Sequence, residues 1–158
     1  MTPSKTGPLR WYLLAAAALA ADQATKAWAE SALAGGWIEV TGFFNLVLLR
    51  NTGSAFSFLA EAGGWQQLLF GAIAIGISAA LAAVIWRQAG DRLVCCASAL
   101  VIGGALGNLV DRLRLGGVTD FLDFHAGPLH WPAFNVADSA IVLGVALFLL
   151  SELRGGKR

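Results

Sequence analysis

Charge is what this sequence has least of. Asp, Glu, Lys and Arg make up 13% of its 158 residues, where a soluble domain carries about 25% to keep its surface wet. That shortfall excludes an ordinary water-soluble globule and points to a chain solvated mainly by lipid. With a net charge of +1, there is no basic surplus to attract nucleic acid. Cysteine is scarce as well: Cys95 and Cys96 are adjacent and lie inside an apolar run. Neighbouring residues make a rare, strained disulfide, so the pair reads as helix packing and not as a redox device or metal site. The two histidines, His125 and His130, share one outer segment, and the zinc-hydrolase pattern HExxH is absent. The serine-hydrolase pattern GxSxG is absent too.

What the sequence has is apolar length. Hydrophobic residues make up 57% of it, and a helix needs about 20 of them in a row to cross the hydrocarbon core. The pattern predicts an all-α membrane protein with four spans, at 9–32, 66–86, 93–112 and 135–153. It forms a single membrane domain over 1–158, with a β-like outer segment at 33–64. The start could be mistaken for a secretory leader, with Lys5 and Arg10 before an Ala-rich core. The apolar pattern continues past any cleavage site, so the first span is expected to remain. Basic residues set the orientation. Lys5, Arg10, Arg87, Arg92, Arg154, Lys157 and Arg158 fall on one side, which is then cytoplasmic along with both termini. Trp11, Trp28, Trp65, Trp86 and Trp131 fall near span ends, as an interfacial aromatic belt requires.

Two segments project outward. In the first, Trp37 to Leu49 is rich in Ile, Val, Thr and Phe with a break at Gly42, which predicts short strands resting on the membrane surface. Asn51-Thr52-Gly53 is a turn signal, and Ala55 to Leu59 is apolar again. The second segment, Leu113 to Ala133, is read as a loop carrying Asp120 and Asp123, with a turn at Gly127-Pro128.

The ionisable residues gather at the outer ends of the spans. Asp22 and Lys26 lie four apart on one face of the first helix and can pair. Asn108, Asp111 and Arg112 share a side of the third. Asn135 and Asp138 have N-cap and N3 spacing at the start of the fourth. An aspartate inside a membrane helix costs about 2.5–3.5 kcal/mol by insertion scales, so such residues need a reason. Each has a plain structural reading: an ion pair that fixes packing, a helix-end pair, a cap, solvated turn residues. Gly103 and Gly107 form a small-xxx-small pair for close helix approach, while Gly104 could instead leave a groove beside Asn108.

Carboxylate is the abundant chemistry. Two close carboxylates in a low-dielectric site share one proton. The ionised one can activate water; the protonated one can polarise a peptide carbonyl and later protonate the leaving nitrogen. No metal or organic cofactor is required. A proton-coupled exporter using Asp22 is the main rival, but it needs its acid reachable from both sides, whereas these acids cluster on one.

Five motifs in order then carry a resemblance: Asp22-Gln23 with Lys26, NTGSAF at 51–56, GGALGNLVDR at 103–112, VTDFLDF at 118–124 and FNVADS at 134–139. Together they resemble the lipoprotein signal peptidase (signal peptidase II) family of bacteria. The resemblance implies an aspartic endopeptidase of the inner membrane that cuts before the diacylglyceryl cysteine of a prolipoprotein. It implies Asp120 and Asp138 as the catalytic pair. Asn51, Gly104, Asn108, Arg112, Asn135 and Ala137 would lie around substrate or pair, and Asp22, Lys26 and Asp111 would support them. The expected partners are lipidated prolipoprotein and membrane lipid, with the chain acting as a monomer. Asp123 rivals Asp120 by spacing alone, and only the motif separates them. The segment from Asn51 to Phe56 is expected to close over bound peptide.

Overall fold

A computed structural model describes residues 7–53 and 65–155. Four long helices and a four-stranded antiparallel sheet make up the described chain: α1 (Leu9–Ala32), β1 (Ile38–Thr41), β2 (Phe44–Asn51), α2 (Trp65–Arg87), α3 (Arg92–Leu115), β3 (Val118–Ala126), β4 (Leu129–His130) and α4 (Val136–Gly155). The apolar stretch at 55–59, and Ser54 to Phe56 of the outer motif, lie outside the described residues.

The bundle is built around α3, which packs against α1, α2 and α4. Its small residues allow this. A methyl at Gly103 would meet Ala18 Cβ at 2.6 Å, one at Gly107 would meet Asp22 Oδ2 at 2.5 Å, and one at Gly104 would strike the carbonyl oxygen of Ala137. Gly104 therefore makes a backbone-to-backbone contact with α4 and leaves no open groove, because α4 occupies the space its missing side chain provides. The outward surface is inverted relative to a soluble protein. Leu68 on α2 is 76% exposed and Val142 on α4 is 68% exposed, as expected for side chains that meet lipid. The two cysteines are free thiols on α3, and Cys95 is buried.

Helices α2, α3 and α4 are long and apolar enough to cross a membrane. Helix α1 is as long, at 24 residues, but its composition is diluted by Asp22, Lys26 and Glu30. Asp22 and Lys26 nonetheless face the bundle, where they are 0% and 2% exposed.

Helix α3 begins under an Asp91 cap, whose carboxylate accepts from the backbone N–H groups of Leu93 and Val94. It ends at Gly116, whose left-handed φ of 68° returns an N–H to Arg112 O. The chain then turns directly into β3, the second inner strand of the sheet, which has the order β1-β2-β3-β4. Asp120, Asp123 and His125 thus lie on a strand, and His130 lies on β4, where the sequence suggested loops. The cause is burial on both faces: Val118 to Phe121 are all buried, so no clean alternation of polar and apolar residues marks the strand. Beneath the sheet, Ala29, Leu33 and Phe121 form a small core joined by Leu46, Leu122 and Val136.

Candidate active site

Strand β3 sorts its two aspartates. Residues three apart on a strand point to opposite faces, and the bulge in this part of the sheet falls on β2, between Leu46 and Leu49, leaving β3 regular. Asp123 turns toward Asn45 and His130: Asn45 Nδ2 donates to it at 3.0 Å, and His130 Nδ1 lies 2.9 Å from its Oδ1. Burial pushes the Asp123 carboxyl up, but these two neighbours outweigh it and hold the group below the usual range.

Asp120 turns the other way, toward the start of α4. The linker ahead of α4 lies along β3, with Phe134 N donating to Leu122 O at 3.1 Å and Leu122 N to Phe134 O at 2.9 Å. That pairing sets Asn135 beside Asp120, and Asn135 Nδ2 donates to Asp120 Oδ1 at 2.7 Å. From β2, Asn51 Nδ2 donates to Asp120 Oδ2 at 3.0 Å. The Asn51 amide is held in that sense because its own oxygen accepts from Gly53 N at 2.9 Å. Asp120 is 3% exposed, and burial pushes its carboxyl up to about 6. The Asn51 hydrogen bond works against that rise, the charge of Asp138 adds to it, and Asn135 and Lys26 oppose it.

Asn135 and Asp138 form a capping box. Asp138 N donates to Asn135 Oδ1 at 2.9 Å, and Asn135 N donates to Asp138 Oδ2 at 3.2 Å. The cap and the catalytic candidate are therefore one arrangement, in which the box fixes the carboxylate of Asp138 at the head of α4. Its Oδ1 accepts from Asn108 Nδ2 of α3 at 2.8 Å. Asp120 and Asp138 both line one cavity of about 750 Å³ with Asn51, Trp131, Phe134 and Ser139. The cavity continues down α4 along Val142, Leu143 and Ala146, a strip at helical spacing whose first two members are exposed.

Behind this pair sits an ion cluster. Lys26 Nζ reaches Asp22 Oδ2 at 2.9 Å, Asp111 Oδ2 at 3.1 Å and Asn108 Oδ1 at 2.9 Å. Asp22 Oδ1 also accepts from Ala137 N at 2.8 Å, tying α1 to the first turn of α4. Removing one partner from a buried ion group costs about 3–5 kcal/mol, so the cluster locks three helices at the level of the site. Arg112 does not pair with Asp111. It donates to Asn108 O at 3.2 Å and stands 5.2 Å over the Phe70 ring.

Two residues of this network had no role in the sequence reading. Gln23 Nε2 bonds Asp22, Gly107 O and Asp111. Thr119 donates its N–H to Asp111 Oδ2 at 2.9 Å, and its hydroxyl lies between Arg50 at 2.7 Å and Glu30 at 3.0 Å. A period-two reading of residues 118–124 would have placed Thr119 on the face opposite Asp120.

Against known proteins, residues 14–154 match the family model described as signal peptidase (SPase) II. A lipoprotein signal peptidase of Azoarcus sp. (strain BH72) is 52% identical over 98% of this chain and 89% of its own length. One of Paraburkholderia phytofirmans is 47% identical over 97% and 95%. A solved bacterial membrane enzyme, determined by the in meso method at 2.3 Å, superposes with a TM-score of 0.78 at 32% identity, over 92% of this chain and 88% of that one.

Proposed function

From the premise that this chain belongs to the signal peptidase II family, we propose that it is an aspartic endopeptidase whose catalytic pair is Asp120 and Asp138. The chain is a bacterial membrane hydrolase that removes signal peptides from prolipoproteins. The observation that carries the aspartic reading is the shared cavity: two carboxylates, from β3 and from the first turn of α4, line it together.

Two carboxylates sharing one low-dielectric site hold one proton between them. The ionised carboxylate takes a proton from water as the water oxygen attacks the scissile carbonyl. The protonated one gives its proton to the carbonyl oxygen, forming a neutral diol. On collapse, the proton taken from water passes to the leaving nitrogen, and the diol returns a proton to the other carboxylate. The C–N bond breaks and both aspartates regain their starting states. The leaving nitrogen belongs to the diacylglyceryl cysteine. Its acyl chains stay in lipid while the peptide enters the cavity beside the exposed strip of α4.

The proposal extends to topology and assembly. The chain is a single membrane domain of four spans, α1 included, because its central charges are turned inward. Both termini face the cytoplasm, the pair works near the outer leaflet of the inner membrane, and the outer sheet covers the site. The described residues of one chain supply both carboxylates and their hydrogen-bond partners, so a monomer suffices. Asn51, Asn108 and Asn135 hold the pair, Arg112 stands beside it, and Gly104, Ala137, Asp22, Lys26 and Asp111 fix the helices around it.

The test is cleavage of a purified diacylglyceryl prolipoprotein by Asp120→Asn and Asp138→Asn. Each change is expected to abolish cleavage while the thermal midpoint in detergent stays within a few degrees of the parent. Full activity in either would refute the pair.

A further inference from the structure

Lys26 is 2% exposed, and its partners determine more than its own charge balance. An ammonium has three N–H donors and no acceptor. Here they reach Asp22, Asp111 and Asn108. The third contact fixes an orientation. With Asn108 Oδ1 turned to the ammonium at 2.9 Å, its NH₂ end must face the other way. That is where Asp138 Oδ1 lies, at 2.8 Å. The reverse orientation would set NH₂ against NH₃⁺ and leave neither satisfied.

An amide whose oxygen is polarised by a cation is a stronger donor through its N–H. A donor aimed at a carboxylate favours the ionised form. The other oxygen of Asp138 accepts the backbone N–H of Asn135, at the positive end of α4. Neither donor to Asp138 can turn round and become an acceptor. Among the described residues, Arg112 of α3 and Asp120 of β3 also interact with the charge of Asp138, and Lys26 pulls directly on Asp120 as well, favouring its ionised form; Asp22 and Asp111 stand behind Lys26.

We infer that Lys26 is a positioning residue that acts through Asn108 to hold Asp138 as the ionised member of the pair, leaving Asp120 to carry the proton. This rests on the aspartate-pair reading above. Asp138 then accepts the proton of the attacking water and passes it to the leaving nitrogen, while Asp120 protonates the carbonyl oxygen and recovers its proton on collapse.

The test uses the full chain in detergent with a diacylglyceryl peptide. Lys26→Met/Asp111→Asn removes the ammonium and one of its carboxylates together, so the net charge of the buried cluster is unchanged. Its thermal midpoint shows whether it is folded. The acid limb of its kcat/KM profile is expected to move up by about one pH unit. The loss should be about tenfold on that limb and shrink toward the optimum, with KM little changed. A merely structural role lowers the rate by one factor at every pH, and that result overturns the inference. Combining these changes with Asn108→Leu should cost nothing beyond Asn108→Leu alone, since both act through one amide; additive losses also overturn it. If the double variant does not fold, Asn108→Leu alone, which leaves the ion cluster intact, must show the upward move of the acid limb, and an unmoved limb overturns the inference. Asp120→Asn and Asp138→Asn run alongside. Activity in either defeats the pair itself, whereas two inactive controls confine a negative result to Lys26.

Discussion

Asp120 holds its proton to a higher pH than an ordinary carboxyl. Burial pushes its carboxyl from the ordinary 3.8 to about 6 against the pull of Asn51 and Asn135. If Asp120 carries the proton, kcat/KM falls as pH rises through about 6. Asn51→Leu removes a hydrogen bond that favours the charged form. The fall should therefore move to higher pH, with a lower maximum because the carboxyl is less firmly held. A pH profile of cleavage checks this, and a shift to lower pH would refute it. Stability carries the same sign. The folded chain holds this proton more tightly than the unfolded one, so the contribution is full below about 3.8 and is lost as pH rises through about 6. Thermal midpoints at pH 4 and pH 7 read it. At this scale the sequence was informative only within single elements. Asp22 and Lys26 could be paired by their spacing, but Asp111 and Asn108, which complete the cluster, come from another helix. Spacing alone did not separate Asp120 from Asp123; the motif did, and the strand puts the two on opposite faces.

Helices and strands differ in how plainly their residues announce them. Lipid requires every backbone group to be satisfied within the span, so α2, α3 and α4 appear as long apolar runs, while α1 is interrupted by Asp22 and Lys26, which turn inward. Strand β3 lies between helix ends and another strand and is buried on both faces, so its pattern is mixed and it read as a loop. Glycine position was legible on α3 but not its partner. Gly104 faces the carbonyl of Ala137 and lies near Ile141, while Gly76 on α2 has nothing within 4 Å. Gly104→Val should lower thermal stability by about 1–3 kcal/mol through overpacking. It should also reduce cleavage, because it pushes away the turn that carries Asp138. Gly76→Ala should leave both unchanged. Equal behaviour of the two variants in a detergent melt would mean that α3 and α4 do not meet as described.

For the whole molecule, orientation is the property on which the rest depends. On the proposed reading the pair stands near the outer leaflet, and the sheet over it faces outward too. The basic residues argue the same from the opposite end. Arg87 and Arg92 bracket the short link between α2 and α3, far along the bundle from Asp120. Two glycines make this measurable. Gly42 lies in the turn between β1 and β2, Gly90 lies in the α2–α3 link, and a side chain at either meets nothing within 4 Å. Gly42→Cys and Gly90→Cys should both fold and cleave normally. A membrane-impermeant maleimide should label the first in cells with a permeabilised outer membrane, and the second only after the inner membrane is opened. The native thiols give the background: Cys95 is buried, and both lie on α3. Labelling of Gly90→Cys from outside would invert the bundle and put the pair on the cytoplasmic side. Labelling of both positions from one side would mean that α2 does not span the membrane.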